Sequence, residues 1–154
     1  MRLNNGRTPS ESLSCTPPAP PHFTVAYWCV LVAALLPIVC AGLAKWGMFR
    51  VSRREGGYDN HDPRAWMARQ SGWRARANAA QANSFEALPF FIGAVVIAHQ
   101  LGAGQTSLDL LALLFVFLRL LYIMMYVADL ATLRSVMWSL AFAVNIGILF
   151  VGYR

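Results

Sequence analysis

Four apolar stretches, each about as long as a bilayer is thick, leave this chain few folds to choose from. They run over about 23–48, 78–101, 108–128 and 135–153, within helices expected over about 23–48, 63–101, 108–128 and 134–153. A hydrocarbon core about 30 Å thick takes roughly 20 residues of helix. Because lipid cannot satisfy backbone N–H and C=O groups, only helices or closed barrels cross it. The chain is 57% hydrophobic and 13% charged, which excludes an ordinary soluble domain. The expected architecture is all-α and integral to the membrane, a four-transmembrane-helix bundle. It forms one domain, residues 23–154, behind a disordered lead-in, residues 1–22, rich in proline (Pro17, Pro18, Pro20, Pro21). The first stretch starts too late and runs too long for a simple signal peptide, and reads as a retained helix.

Basic residues crowd one connection. Lys45, Arg50, Arg53, Arg54, Arg64, Arg69, Arg74 and Arg76 lie in or beside the first loop, whereas the second, Gly102 to Ser107, has none. The positive-inside rule then puts the first loop in the cytoplasm and both termini outside. The net charge of +6 is this topology signal, with some attraction to anionic lipid. Nucleic-acid binding is a poor reading, since the arginines sit at membrane boundaries without a recognition fold. In the first loop, Gly56-Gly57 breaks the chain, Asp62 suits an N-cap and Pro63 suits the first helical position. Asp129 to Leu133 is only a short turn, so the last two helices should form a hairpin. Pro37 and Pro89 fall inside helices and predict kinks.

The second stretch carries polar groups where lipid should be. An ionisable side chain at membrane depth costs roughly 2.5–3.5 kcal/mol on insertion scales, so Glu86 needs a use or a partner. Helical phase aligns these groups. Arg76, Asn83 and Glu86 fall within an arc of about 80° at 100° per residue. On the third helix Arg119, Tyr122 and Tyr126 share a face; on the fourth, Arg134, Trp138 and Asn145 do. Polar faces of this kind turn into a bundle. Interhelical hydrogen bonding alone would explain Asn145, and an ion pair would explain Glu86 with Arg119. Taken together, Arg76, Asn83, Glu86, Tyr126 and Arg134 would instead converge near the cytoplasmic leaflet. That set suits a zwitterionic or anionic peptide-like ligand, with guanidinium forks for carboxylates and Glu86 for an ammonium.

Other chemistries find little support. His22, His61 and His99 lie in separate segments without metal-ligand spacing. His61, between Asp59 and Asp62, reads as turn chemistry. Cys15, Cys29 and Cys40 give no disulfide framework, and the last two read as packing residues. There is no phosphate loop, dinucleotide fingerprint or Gly-x-Ser-x-Gly elbow.

The run Arg76-x6-Asn83-x2-Glu86-x2-Pro89-Phe90 resembles the signature of the MAPEG family, the membrane-associated proteins of eicosanoid and glutathione metabolism. Arg119-x2-Tyr122-x3-Tyr126 and Arg134-Ser135-Val136-x-Trp138 add to the likeness. The loop motif Tyr58-Asp59-Asn60-x-Asp62-Pro63-Arg64 looks like that of bacterial members, which implies a bacterial inner membrane. The resemblance implies a homotrimer of four-helix subunits, with glutathione held between neighbours toward the cytoplasmic side. By motif, Arg76, Asn83, Glu86 and Tyr126 would bind glutathione, and Arg134 would stabilise its thiolate as the catalytic residue. The thiolate would then attack a hydrophobic electrophile from the bilayer or reduce a lipid hydroperoxide.

The chain also departs from the pattern. Ala79 and Ala82 stand where enzymatic members carry arginines, Gln81 where a histidine is common, and Trp138 where several have tyrosine. A non-catalytic, lipid-binding or scaffold member of the same fold is the alternative these positions favour. A small proton-coupled transporter using Glu86 is a third reading, opposed by the neighbouring arginines.

Overall fold

The computed structural model describes residues 23–153, and the proline-rich lead-in lies outside them. Five helices follow in order: α1 (Val25–Lys45), α2 (Pro63–Ala68), α3 (Gly72–Gln100), α4 (Gln105–Val127) and α5 (Ala131–Val151). All but α2 are long and apolar enough to cross a membrane. The antiparallel α3 and α4 touch each other at the centre. α1 packs on one side of this pair and α5 on the other.

Small residues set how closely the helices approach. α1 buries Ala26, Cys29, Ala33, Leu36, Cys40 and Ala44, and α3 buries Ala77, Ala80, Ser84, Ala94 and Ala98. Both series follow helical spacing, and short side chains let backbones meet. Above this seam Phe91 stacks on Phe115 with centroids 4.0 Å apart. Of the four long helices α5 buries least, offering Ala141, Asn145 and Ile148 to the bundle. Cys29 and Cys40 are free and buried within α1.

The helix expected over 63–101 is two helices. Asp62 caps α2 by accepting from the Ala65 N–H at 3.1 Å, and Pro63 opens it. Gly72 then adopts φ +59°, a left-handed conformation that a right-handed helix cannot run through, so α3 starts afresh. With 29 residues, α3 is about 44 Å long at 1.5 Å per residue, longer than the hydrocarbon core. Its length leaves room for the polar first turns to stand outside the hydrocarbon. α4 and α5 each begin three residues earlier than expected, because Gln105 to Ser107 and Ala131 to Leu133 join their first turns.

The first loop is folded rather than merely charged. Tyr58 packs edge-on against both Phe49 and Trp66, and the Lys45 Nζ lies 4.6 Å from the Tyr58 ring centre. Trp66 is buried and donates from Nε1 to the Gly56 carbonyl at 3.1 Å. The turn chemistry read at His61 is present, its N–H donating to Asp59 Oδ1 at 3.0 Å.

At the opposite end of the bundle, Asp109 of α4 holds the start of α1. Its Oδ1 accepts from the Ala26 N–H at 2.8 Å and from Gln105 Nε2 at 2.7 Å. The Ala26 N–H is one of the first-turn donors a helix leaves unpaired, so Asp109 caps α1 from another helix. Asp109→Ala is expected to cost about 1–2 kcal/mol, the range of a lost N-cap. Thermal melts in detergent should show the loss, with Asp109→Asn retaining most of the stability.

Candidate functional site

The polar groups of the bundle meet around Arg119, which is 2% exposed. Its Nη1 donates to Asn83 Oδ1 at 2.9 Å and its Nη2 to Ser84 Oγ at 3.2 Å. The Ser84 hydroxyl in turn donates to the Ala80 carbonyl at 2.8 Å. From its other end, Asn83 donates through Nδ2 to Glu86 Oε2 at 3.1 Å. The Arg119 guanidinium lies over the Tyr122 ring, 4.4 Å from its centre. The direct ion pair considered for Glu86 and Arg119 is not formed: no salt bridge among the described residues joins them. Asn83, one helical turn before Glu86, comes between them, and its amide can accept from the cation while donating to the carboxylate.

This network borders a lateral pocket of about 140 Å³ between α3, α4 and α5. Phe115, Arg119 and Asn145 form its buried floor. Glu86, Trp138 and Phe142 stand exposed at its mouth. Trp138 and Phe142 are stacked with their planes 2° apart. Toward the loop end Trp138 is also a wall of a larger recess, of about 430 Å³, shared with Tyr122, Tyr126, Arg134, Ser135 and Ser139. There the Arg134 guanidinium lies 4.4 Å from the centre of the Tyr126 ring. Among the described residues it makes no salt bridge.

The five candidate residues thus occupy three places. Asn83 and Glu86 line the lateral pocket, while Tyr126 and Arg134 line the recess. Arg76 lines neither. Its Nε donates to the Val127 carbonyl at 3.1 Å and its Nη1 pairs with Asp129 at 3.3 Å, which ties α3 to the end of α4. Sequence reasoning gave no role to Ser84 or Asp109. Ser84 precedes Glu86 by two residues, and a lone serine in an apolar helix carries no signal of the guanidinium it meets. Asp109, one turn into a polar helix start, was signalled by its charge alone. Among the described residues, no three His, Cys, Asp or Glu side chains gather as a metal site.

Four membrane-spanning helices, a polar network within them and a cation-bearing recess at one end define a multi-pass membrane protein with an amphiphilic site. The sequence matches the MAPEG family over residues 25–153, and the chain belongs to that family. The family is associated with glutathione and lipid metabolism in membranes. No curated protein and no solved structure matches the chain significantly.

Proposed function

We propose that this protein is a membrane glutathione-dependent transferase or peroxidase acting on a hydrophobic electrophile or lipid hydroperoxide. The observation that carries this reading is that the recess and the lateral pocket lie side by side, with Trp138 lining both. A polar, cation-bearing chamber opens beside an apolar one, as a reaction between a soluble thiol and a bilayer-dissolved partner requires. The donor set of the recess fits glutathione chemically. Arg134 has a guanidinium uncommitted to any carboxylate among the described residues, with Tyr126, Ser135 and Ser139 around it. Bound there, glutathione would supply a thiol whose anion is a strong nucleophile.

The chain's own residues would do the rest. Arg134 would favour the thiolate by placing a fixed positive charge beside it. Tyr126 holds that guanidinium in place by lying under it. Glu86, kept in position by Asn83, would accept an ammonium group, and the aromatic walls around Trp138 would exclude water.

Glu86 also supports assembly. It is exposed on the side of the isolated subunit, at a depth where a carboxylate facing lipid is costly. A neighbouring subunit, in the homotrimer the resemblance implies, would cover it. The loop end of the bundle, with its arginines, would face the cytoplasm of a bacterial inner membrane.

Titrating the detergent-solubilised protein with glutathione should give the ultraviolet absorbance of a thiolate. Arg134→Ala should weaken that signal about tenfold or more, since a charge-assisted hydrogen bond is worth roughly 1.5–3 kcal/mol. Absence of the signal at millimolar glutathione would overturn the reading.

A second reading has its own observation. Arg76 is occupied by Asp129 and the Val127 carbonyl, and Ala79 and Ala82 provide no replacement cation. A site poor in free guanidinium groups suits a non-catalytic, lipid-binding member. That reading expects co-purifying lipid and a melting temperature indifferent to glutathione.

A further inference from the structure

The lateral pocket holds a polar atom that the rest of the molecule leaves without a partner. Asn145 is 2% exposed at the pocket floor, and its Oδ1 accepts no hydrogen bond among the described residues. An orphaned buried polar group costs about 1–3 kcal/mol, and folded proteins keep few of them. The other buried positions of α5 are Ala141 and Ile148, so an apolar side chain would pack this stripe without the penalty. A hydroxyl donor entering the pocket would supply the hydrogen bond that Asn145 Oδ1 lacks within the subunit.

The surroundings restrict what that molecule is. At about 140 Å³ the pocket belongs to the size class of an engineered cavity that takes up benzene. A lone water, whose share of liquid volume is about 30 Å³, leaves most of it empty. Phe90, Phe115, Trp138 and Phe142 wall it from three helices, and aromatic faces and edges prefer another ring at about 4.5–7 Å. At the floor a cation is disfavoured by the Arg119 guanidinium, and an anion would have to pass the Glu86 carboxylate at the mouth, the position left to an ammonium group. What remains is a neutral group. An amide presents a donor at one end and an acceptor at the other, and a hydroxyl is both at once.

We propose that the pocket between α3, α4 and α5 binds the hydroxylated aromatic ring of a membrane-soluble molecule, with the Asn145 amide as the partner of the hydroxyl. The ring lies among Phe90, Phe115, Trp138 and Phe142, and the hydroxyl donates its one hydrogen to Asn145 Oδ1. This inference rests on the reading of the pocket as the seat of the apolar partner, and makes Asn145 the residue that selects for a hydroxyl. It needs no glutathione.

The test compares para-cresol with toluene, which differ by one hydroxyl, on the full chain in detergent, followed by melting temperature against ligand concentration. Para-cresol should bind at least about tenfold more tightly than toluene, the ratio expected from roughly 1.4 kcal/mol of hydrogen bonding. Asn145→Leu, and Asn145→Ala as a variant without added bulk, should bring the two ligands to near parity. Partitioning into micelles is the same for wild type and variants and cancels in that comparison. Equal binding of both ligands by the wild type overturns hydroxyl selection while leaving an apolar seat in place. A preference that survives both substitutions overturns the role of Asn145. Binding of neither ligand overturns this inference and the apolar seat together, leaving the glutathione titration to judge the recess separately.

Discussion

Replacing Arg119 by methionine should destabilise the bundle more than any other single change at the polar network. The side chain is buried and joins α4 to α3 through Asn83 and Ser84. Two ordinary interhelical hydrogen bonds in a bilayer, at ~0.6 kcal/mol each, would sum to only about 1.2 kcal/mol. These are donated by a cation, for which roughly 1.5–3 kcal/mol apiece is the better guide. Ser84 still has the Ala80 carbonyl as acceptor, so the loss concentrates on Asn83, whose carbonyl oxygen is left without a donor. A loss of about 3 kcal/mol is expected in melts or denaturant titrations in detergent. A double variant, Arg119→Met with Asn83→Leu, should recover part of it, because removing both partners is cheaper than orphaning one. An Arg119→Met protein within about 0.5 kcal/mol of wild type would show that the network carries no such weight.

Gly57→Ala should open the first loop. A Cβ at Gly57 would overlap the Val51 carbonyl carbon and oxygen, which are backbone atoms with nowhere to yield. The same turn is closed by the Gly57 N–H donating to the Ser52 carbonyl at 2.9 Å, and by Trp66 reaching the Gly56 carbonyl. Overpacking against rigid atoms costs about 1–3 kcal/mol or more. Because the loop hangs below the bundle, the cost should appear as local opening, with the transmembrane helices intact. Trypsin should cut after Arg53 and Arg54 about 10- to 100-fold faster, corresponding to roughly 1.4–2.8 kcal/mol of lost local stability. Unchanged cleavage kinetics would mean the turn accommodates the methyl group.

Much of the fold was legible because lipid removes alternatives. Length and apolarity suffice to mark four spans, and the short turn at Asp129 suffices to pair α4 with α5. The Asp62–Pro63 helix start was readable because capping is local chemistry. The break at Gly72 was not, since a lone glycine between Ser71 and Trp73 shows its left-handed backbone only once the loop has folded beneath it. The loop's aromatic cluster was missed for the same reason: no helical or strand period links Phe49, Tyr58 and Trp66, and they meet only once the loop has folded.

Helical phase told which polar residues share a face, and in this it was a good guide to Asn83 with Glu86 and to Arg134 with Trp138. It could not tell which faces meet at the same height. Arg76 and Glu86 are ten residues apart, about 15 Å along α3 at 1.5 Å per residue. One therefore ends against Asp129 and the other beside Asn145.

By itself, then, the sequence determined a four-span membrane bundle with a polar stripe on each of three helices, because period and hydropathy are properties of each segment alone. Only the tertiary structure decided that Asn83 bridges Arg119 and Glu86, that Arg76 is tied to the end of α4, and that Asn145 faces a pocket unpartnered. Those outcomes depend on the axial offset and rotation of one helix against another, and no single segment encodes them.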